Sequence, residues 1–440
     1  MSRRKQVRWL HGQAEEWVAK GIITQEQGAA ILAQYAGGKG GPPWGAIIFS
    51  GIGAVVIGLG VILLFAYNWA YMPKGMKLAL VFGAVAAAHI ASIRQLGRDD
   101  WRRHLGEALS VLATMLFGAG IWLIAQIYHI DEHFPNAFLV WGLGALAMAW
   151  AMGSAAQGVV AAALLTVWGC TEAWGFDTPV HVAPLLIAAG VAGLALRLRS
   201  RVLLACALAA LYTCTAGTVG VIDGRLVIPA LIYMAGLFIA LGLLAAQTRW
   251  FPSSGPVWGF FGWSLLVGCM FLLTFTDATR YLLLARHRAG PAAMAYAWAP
   301  FLAAMGAWVM AGLGWLRQRS RAAPVGPAGE AWLVPCIVIV CMAVSNGAHA
   351  GASMISLAFN LVFLALSVSW MARGCREGAP APAAVGSVML AMLVFARYFD
   401  LFVSLAARGF MFLVVGGVLF SEGIMYMRAR RRMKKQEVQQ

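Results

Sequence analysis

The side chains that could do chemistry lie mainly where long apolar segments end. The densest group is Gln126-Ile127-Tyr128-His129-Ile130-Asp131-Glu132-His133. If one helix continued through this stretch, His129 and His133 would share a face at spacing i, i+4, as two metal ligands do. Pro135 disfavours helical geometry just before it, so we expect the helix to end here. A metal site would also need a third ligand, for which the candidates are Glu172, His181 and His349. We therefore predict no bound metal and no cofactor.

Two other groups of polar residues lie at the ends of apolar segments, on the same predicted side of the membrane. Asn68 follows the first segment, and Arg397 and Asp400 end a late one at a spacing that allows an ion pair. A glutamine such as Gln126 facing lipid would leave polar groups unsatisfied, which favours an inward orientation. We predict that six residues meet in a polar rim site on the outer side: Asn68, Gln126, His129, Glu132, Arg397 and Asp400. The alternative is that they are separate anchors at the interface.

Few polar residues lie deep inside the apolar segments. Asn360 is near the middle of one, and Glu422 is about a quarter of the way in from the inner end of the last. An ionisable side chain at the bilayer centre costs about 2.5–3.5 kcal/mol on insertion scales, so Glu422 needs a partner or a water path. Such sparse charge is less typical of ion-coupled transport than of facilitated transport.

The elements that position these residues must be membrane-spanning helices. The 440-residue chain is 61% hydrophobic and 11% charged, whereas soluble domains are roughly 25% charged. This composition excludes a soluble enzyme, a disordered chain and a disulfide-rich secreted domain. We predict an all-α, polytopic bundle of about fourteen spans, each of about 20 residues. The net charge of +16 comes from dispersed arginines in short loops and termini, which argues against nucleic acid as a partner and for the lipid bilayer.

The chain divides into four parts by composition. Residues 1–36 are predicted to form a cytoplasmic two-helix hairpin, with a capping box at Thr24–Gln27 starting the second helix. Residues 37–43 form a Gly/Pro linker, 44–428 the helical bundle, and 429–440 a basic tail. Inside the bundle, tight joints are expected near Gly153 and Ser200.

The distribution of basic residues predicts the topology. With fourteen spans and a cytoplasmic N-terminus, inside segments hold 25 of the 33 lysines and arginines, and outside segments hold eight. This asymmetry follows the positive-inside rule. Both termini are therefore predicted to be cytoplasmic.

Three motifs resemble those of a known family. They are Phe65-Ala66-Tyr67-Asn68-Trp69, Gln126-Ile127-Tyr128-His129, and Phe395-Ala396-Arg397-Tyr398-Phe399-Asp400-Leu401-Phe402. With the N-terminal hairpin, they resemble the domain of unknown function 2157 family of bacterial polytopic membrane proteins, best over residues 1–150, while the last motif is similar to a related family. The resemblance implies a multi-pass protein of the bacterial inner membrane. It also implies a partner, a small membrane protein with a GDYxxLxY motif, and it supplies no catalytic residues.

Three classes of function fit the sequence. A small-solute transporter or channel fits the number of spans, the lack of large extramembrane domains and the polar rim on the periplasmic side. A non-catalytic membrane subunit or scaffold fits the N-terminal hairpin, the scarcity of charge at depth and the partner. A membrane enzyme would need His129, Asp131 or Glu132 as acid or base, and the chain lacks the Gly-x-Ser-x-Gly, His-Glu-x-x-His and Walker motifs.

The predicted topology is tested with reporter fusions that are active only in the periplasm. A reporter fused after Gln440 should be silent, and one fused within 284–290 should be active. Activity of the reporter at Gln440 would overturn the assignment of both termini to the cytoplasm.

Overall fold

The computed structural model describes residues 3–36, 73–96, 100–129, 133–248, 251–283, 291–318, 329–345 and 351–400, with scattered positions in 48–63 and 413–424. Within these ranges the regular structure is helical and contains no strand, as the composition predicts. The helices are α1 (Arg3–Ala19), α2 (Gln25–Ala36), α3 (Lys74–Leu96), α4 (Asp100–Tyr128), α5 (Pro135–Met152), α6 (Ala155–Cys170), α7 (Val182–Leu198), α8 (Arg201–Asp223), α9 (Val227–Gln247), α10 (Gly255–Leu273), α11 (Thr276–Leu283), α12 (Pro291–Gln318), α13 (Leu333–Ser345), α14 (Ala352–Glu377) and α15 (Pro380–Asp400).

The chain forms two compact units. The first comprises Met1–Tyr71 and His89–Leu112, and the second comprises Met72–Ala88 and Ala113–Gln440. The unit boundaries fall inside α3 and α4, so each of these helices contributes to both units.

In the first unit, α1 and α2 are joined by a short turn and contact each other. The Thr24 hydroxyl accepts from the Gln27 amide at 3.2 Å, and the Gln27 side chain accepts from the Thr24 amide at 2.9 Å. This reciprocal pair is the predicted capping box. A Cβ on Gly28 would lie 3.1 Å from Val18, so a residue without a side chain allows the two helices to approach closely.

In the second unit, α5 to α8 pack around one apolar core. Its fully buried side chains include Leu165, Ile187 and Leu203. Both predicted joints are present. Gly153 ends α5 with φ of +59° before Ser154 caps α6, and Ser200 caps α8 by accepting from the Leu203 amide at 3.3 Å. These residues form sharp helix ends because glycine adopts the left-handed region freely and serine satisfies an N-terminal amide.

Helix α7 contains a π-helical turn. Residues Ile187–Ala192 are π-helical between two α-helical segments. A π turn displaces the regular pattern of backbone hydrogen bonds. The Trp150 indole donates to the Gly190 carbonyl at 2.9 Å, so a side chain of α5 supplies a partner to the irregular backbone.

A second apolar core lies among α9, α10 and α12 to α15. Tyr233, Leu266, Met270 and Phe363 are fully buried there. Helices α14 and α15 pack closely, because a Cβ on Gly386 would lie 2.6 Å from the Ser367 carbonyl oxygen. Small residues at such crossings let helices approach where burial in lipid offers no hydrophobic gain.

Nine helical segments among the described residues are long and apolar enough to cross a membrane. They are Lys74–Gln95, Arg102–Tyr128, Pro135–Met152, Ala155–Gly175, Arg201–Gln247, Pro252–Leu273, Trp298–Arg317, Ala352–Glu377 and Pro380–Arg397. Two shorter apolar helices are Val182–Leu198 and Glu330–Ser345. Large apolar side chains such as Leu302, Val309 and Leu361 remain exposed on these helices, as lipid-facing residues do.

Candidate functional site

The structure locates only part of the predicted rim site. Asn68 and Glu132 lie outside the described residues, as does the predicted intramembrane Glu422, and of Asp400 only the position at the end of α15 is described. The convergence of all six rim residues therefore stays a prediction. Three of them, Gln126, His129 and Arg397, and the predicted intramembrane Asn360 are described.

Arg397 lies in the last turn of α15 and reaches the residues that join α10 to α11. Its guanidinium donates to the Thr274 hydroxyl at 3.4 Å, and its central carbon lies 4.7 Å from the centre of the Phe275 ring. A cation over an aromatic face is stabilised by the ring quadrupole, more strongly where water is excluded. Arg397 is half-buried, so this stacking offsets part of the cost of its charge.

The Thr274 carbonyl is the centre of a polar cluster. It accepts from the Ser356 hydroxyl at 2.5 Å and from the Asn360 amide at 2.9 Å, and Asn360 also donates to the Ser356 carbonyl at 2.8 Å. Thr274 itself is fully buried. Because α10 ends at Leu273, carbonyls of its last turn lack partners within the helix, and α14 supplies them.

The Thr274 cluster joins residues that the sequence analysis treated separately. Arg397 was predicted for the rim and Asn360 for the membrane interior, yet both donate to Thr274. Thr274 was missed because one threonine at the end of an apolar segment carries no specific signal. The following Thr276-Asp277, typical of a new helix start, would have indicated the break.

Gln126 and His129 lie at the end of α4. The helix ends at Tyr128, and His129 adopts a left-handed conformation with φ of +53°. The predicted helix end is thus confirmed, and His129 and His133 do not share a helical face. Both Gln126 and His129 are exposed.

His133 instead forms a hydrogen-bonded pair with Glu172. Its Nε2 lies 2.8 Å from the Glu172 Oε2, and its ring packs on Phe176 with the centroids 4.2 Å apart. Glu172 is buried within a π-helical turn, Thr171–Gly175. The sequence analysis named both residues as metal-ligand candidates. The described residues contain no group of three or more His, Cys, Asp or Glu side chains placed to hold a metal ion.

A second pair, absent from the sequence predictions, is the ion pair between Glu330 and Arg373. The Arg373 Nε donates to the carboxylate at 3.2 Å and its Nη2 donates to the second oxygen, while Ser369 donates to the first at 2.8 Å. Glu330 is buried in the turn before α13, and Arg373 lies in α14. Because 43 residues separate the partners, spacing in the sequence could not reveal the pair.

Comparison with protein families confirms the sequence resemblance over part of the chain. Residues 15–158, about a third of the chain, match the family described as "Predicted membrane protein (DUF2157)". The matched range contains two of the three motifs, Phe65–Trp69 and Gln126–His129, and excludes the third. No curated protein and no solved structure matches the chain.

The Thr274 cluster is tested with a pair of isosteric substitutions. Asn360→Asp removes both amide donations and places a carboxylate near two carbonyls, so it should lower stability by about 1–3 kcal/mol or more. Asn136→Asp is the control, because Asn136 is exposed in the first turn of α5, where negative charge is tolerated. Thermal unfolding of the purified protein in detergent measures both. Equal midpoints for the two variants would contradict the cluster.

Proposed function

We propose that the protein is a non-catalytic, multi-pass subunit or scaffold of the bacterial inner membrane that holds a partner membrane protein. The observation that carries the proposal is what the polar side chains inside the described spans bond to. Several of them bond to neighbouring helices: Thr114 donates to Gln157 at 3.0 Å, Tyr233 and Ser345 are 3.3 Å apart, and Trp308 donates to the Gly236 carbonyl at 3.0 Å. Groups bonded in this way fix the helix packing and are not directed at a hydrated solute.

The number of apolar helices supports the proposed fourteen spans. Arg201–Gln247 contains two packed helices, α8 and α9, and its 47 residues would be about 70 Å long at 1.5 Å per residue, more than twice the hydrocarbon thickness. It therefore counts as two crossings. With the two shorter apolar helices, and with the two spans that the sequence predicts near the ends of residues 44–428, the number reaches fourteen. An even number places both termini on one side, which the basic residues assign to the cytoplasm.

The N-terminal helices supply a docking surface for the partner. A groove of about 370 Å³ runs between α1 and α2. Most of its walls are small or apolar, including Ala14, Val18, Ala29 and Leu32, and Glu15 and Gln25 are its polar residues. A groove with such walls can receive a short apolar segment. The family resemblance supplies the candidate, the small membrane protein with the GDYxxLxY motif.

A small-solute transporter or channel is the second candidate. It is favoured by the His133–Glu172 pair, in which a buried carboxylate meets a partly exposed imidazole on the predicted periplasmic side. A partly exposed polar pair of this kind can line a hydrated path for a solute. Saturable solute uptake by proteoliposomes that is lost in His133→Asn would favour this candidate over a scaffold.

The scaffold proposal is tested by co-purification from mild detergent with the GDYxxLxY protein. Ala29→Glu places a charge in the groove and should reduce the recovered partner by about tenfold, a loss of about 1.4 kcal/mol in affinity. Ala30→Glu is the matched control, because Ala30 is the next residue of α2, is equally exposed and does not line the groove. It should recover the partner in full. Recovery of the chain without this partner, together with solute uptake, would contradict the scaffold.

A further inference from the structure

The second unit contains a cavity of about 590 Å³ among α9, α10, α14 and α15. This volume lies within the roughly 300–1,000 Å³ typical of small-molecule sites. Its walls are almost wholly apolar or glycine, and they include Leu243, Gly259, Trp263 and Val385. A hydrated solute would lose its hydrogen bonds against such walls without replacement, whereas a hydrocarbon chain would not.

Arg373 is the charged residue in the cavity wall. Glu330, itself buried, holds its Nε and Nη2, and Ser369 holds the carboxylate in turn. A guanidinium has five N–H donors in a fixed plane, so the Nη1 edge remains for another acceptor. Among the described residues, Glu330 is the partner found for this guanidinium. The ion pair therefore fixes the orientation of a cation whose second edge is open.

Trp370 adds a second donor to the same wall. Its ring packs on Trp263 with the centroids 5.2 Å apart and an interplanar angle of 71°. The indole Nε1 is buried, and no acceptor for it lies within the described part of the chain. Buried indole N–H groups normally have an acceptor, so this donor is available to a ligand bound in the cavity.

We propose that this cavity binds a glycerophospholipid with an anionic headgroup. Its acyl chain occupies the apolar part, and its phosphate accepts from Arg373 and from the Trp370 indole. Phosphate oxygens suit a planar guanidinium, and Arg373 lies in the last turns of α14, at the level expected for headgroups. The first turn of α15 contributes Ala381 and Pro382 to the wall, so the positive end of that helix dipole also favours an anion. On the predicted topology the lipid lies in the cytoplasmic leaflet. The site goes beyond the scaffold role and does not depend on it.

The acyl-chain part of the site is tested by native mass spectrometry of the delipidated full-length protein titrated with phosphatidylglycerol. Gly259→Leu should weaken lipid retention by about tenfold or more, because a Cβ there meets no atom within 4 Å and the leucine side chain would take up space that the acyl chain needs. Gly268→Leu is the matched control on the same helix, with equal space at its Cβ but outside the cavity. It should bind as the unmodified protein does. Equal retention by the two variants would overturn the site.

The headgroup part is tested by comparing phosphatidylglycerol with a diacylglycerol of the same chains and with inorganic phosphate. Of these three ligands, only phosphatidylglycerol should be retained. Trp370→Phe should weaken its binding about fivefold through loss of one hydrogen bond. The double variant Glu330→Gln with Arg373→Met removes the guanidinium without leaving a buried unpaired charge, and it should abolish the preference over diacylglycerol.

Three outcomes would overturn the proposal. Equal retention of diacylglycerol would leave an apolar groove without headgroup recognition. Displacement of phosphatidylglycerol by inorganic phosphate would assign the site to the free anion. Loss of the co-purifying membrane protein in Gly259→Leu, with lipid retention unchanged, would assign the cavity to a protein partner. Because lipid retention and partner recovery are separate measurements, failure of the lipid site is distinguishable from failure of the scaffold.

Discussion

The constraint on which the structure depends is that the hydrocarbon interior offers no water to polar groups. Every helix end or irregular turn at that depth must find its partners inside the protein. The Thr274 carbonyl, freed where α10 ends, receives Ser356 and Asn360 from α14. The Gly190 carbonyl in the π-helical turn of α7 receives Trp150 from α5 in the same way. In each case a backbone irregularity determines which neighbouring helix must pack beside it.

The same constraint explains why ionisable groups occur in pairs. A buried charge is costly unless a partner and further hydrogen bonds replace its hydration. Glu172 is paired with His133, and Glu330 is paired with Arg373 and Ser369. The two pairs differ in their surroundings. The His133 imidazole is partly exposed, whereas Arg373 lines an apolar cavity. The exposed imidazole favours transport, and the guanidinium at the cavity favours recognition of a lipid.

Features set by local chemistry could be predicted from the sequence, and lateral contacts could not. The helical class, the capping box at Thr24, the joints at Gly153 and Ser200 and the helix end before His129 follow from composition and from short motifs. Hydropathy specifies that a segment lies in the membrane, but it carries little information about which segment lies beside it. The contact of Asn360 with Thr274, 86 residues away, and that of Arg397 with the same residue, 123 away, depend on lateral order.

The central claim is that the helices of the second unit form a packed bundle whose polar groups serve contacts between helices. Two native cysteines, Cys269 and Cys341, can report on the packing because they are buried in the core around Tyr233. The direct measurement is modification of these thiols by a small, charged methanethiosulfonate reagent, with the protein in lipid nanodiscs and mass spectrometry of its peptides. The packed bundle predicts that both thiols stay unmodified until the protein is denatured. Rapid modification of either thiol in the folded protein would show that water reaches this interface, which would contradict the packed scaffold.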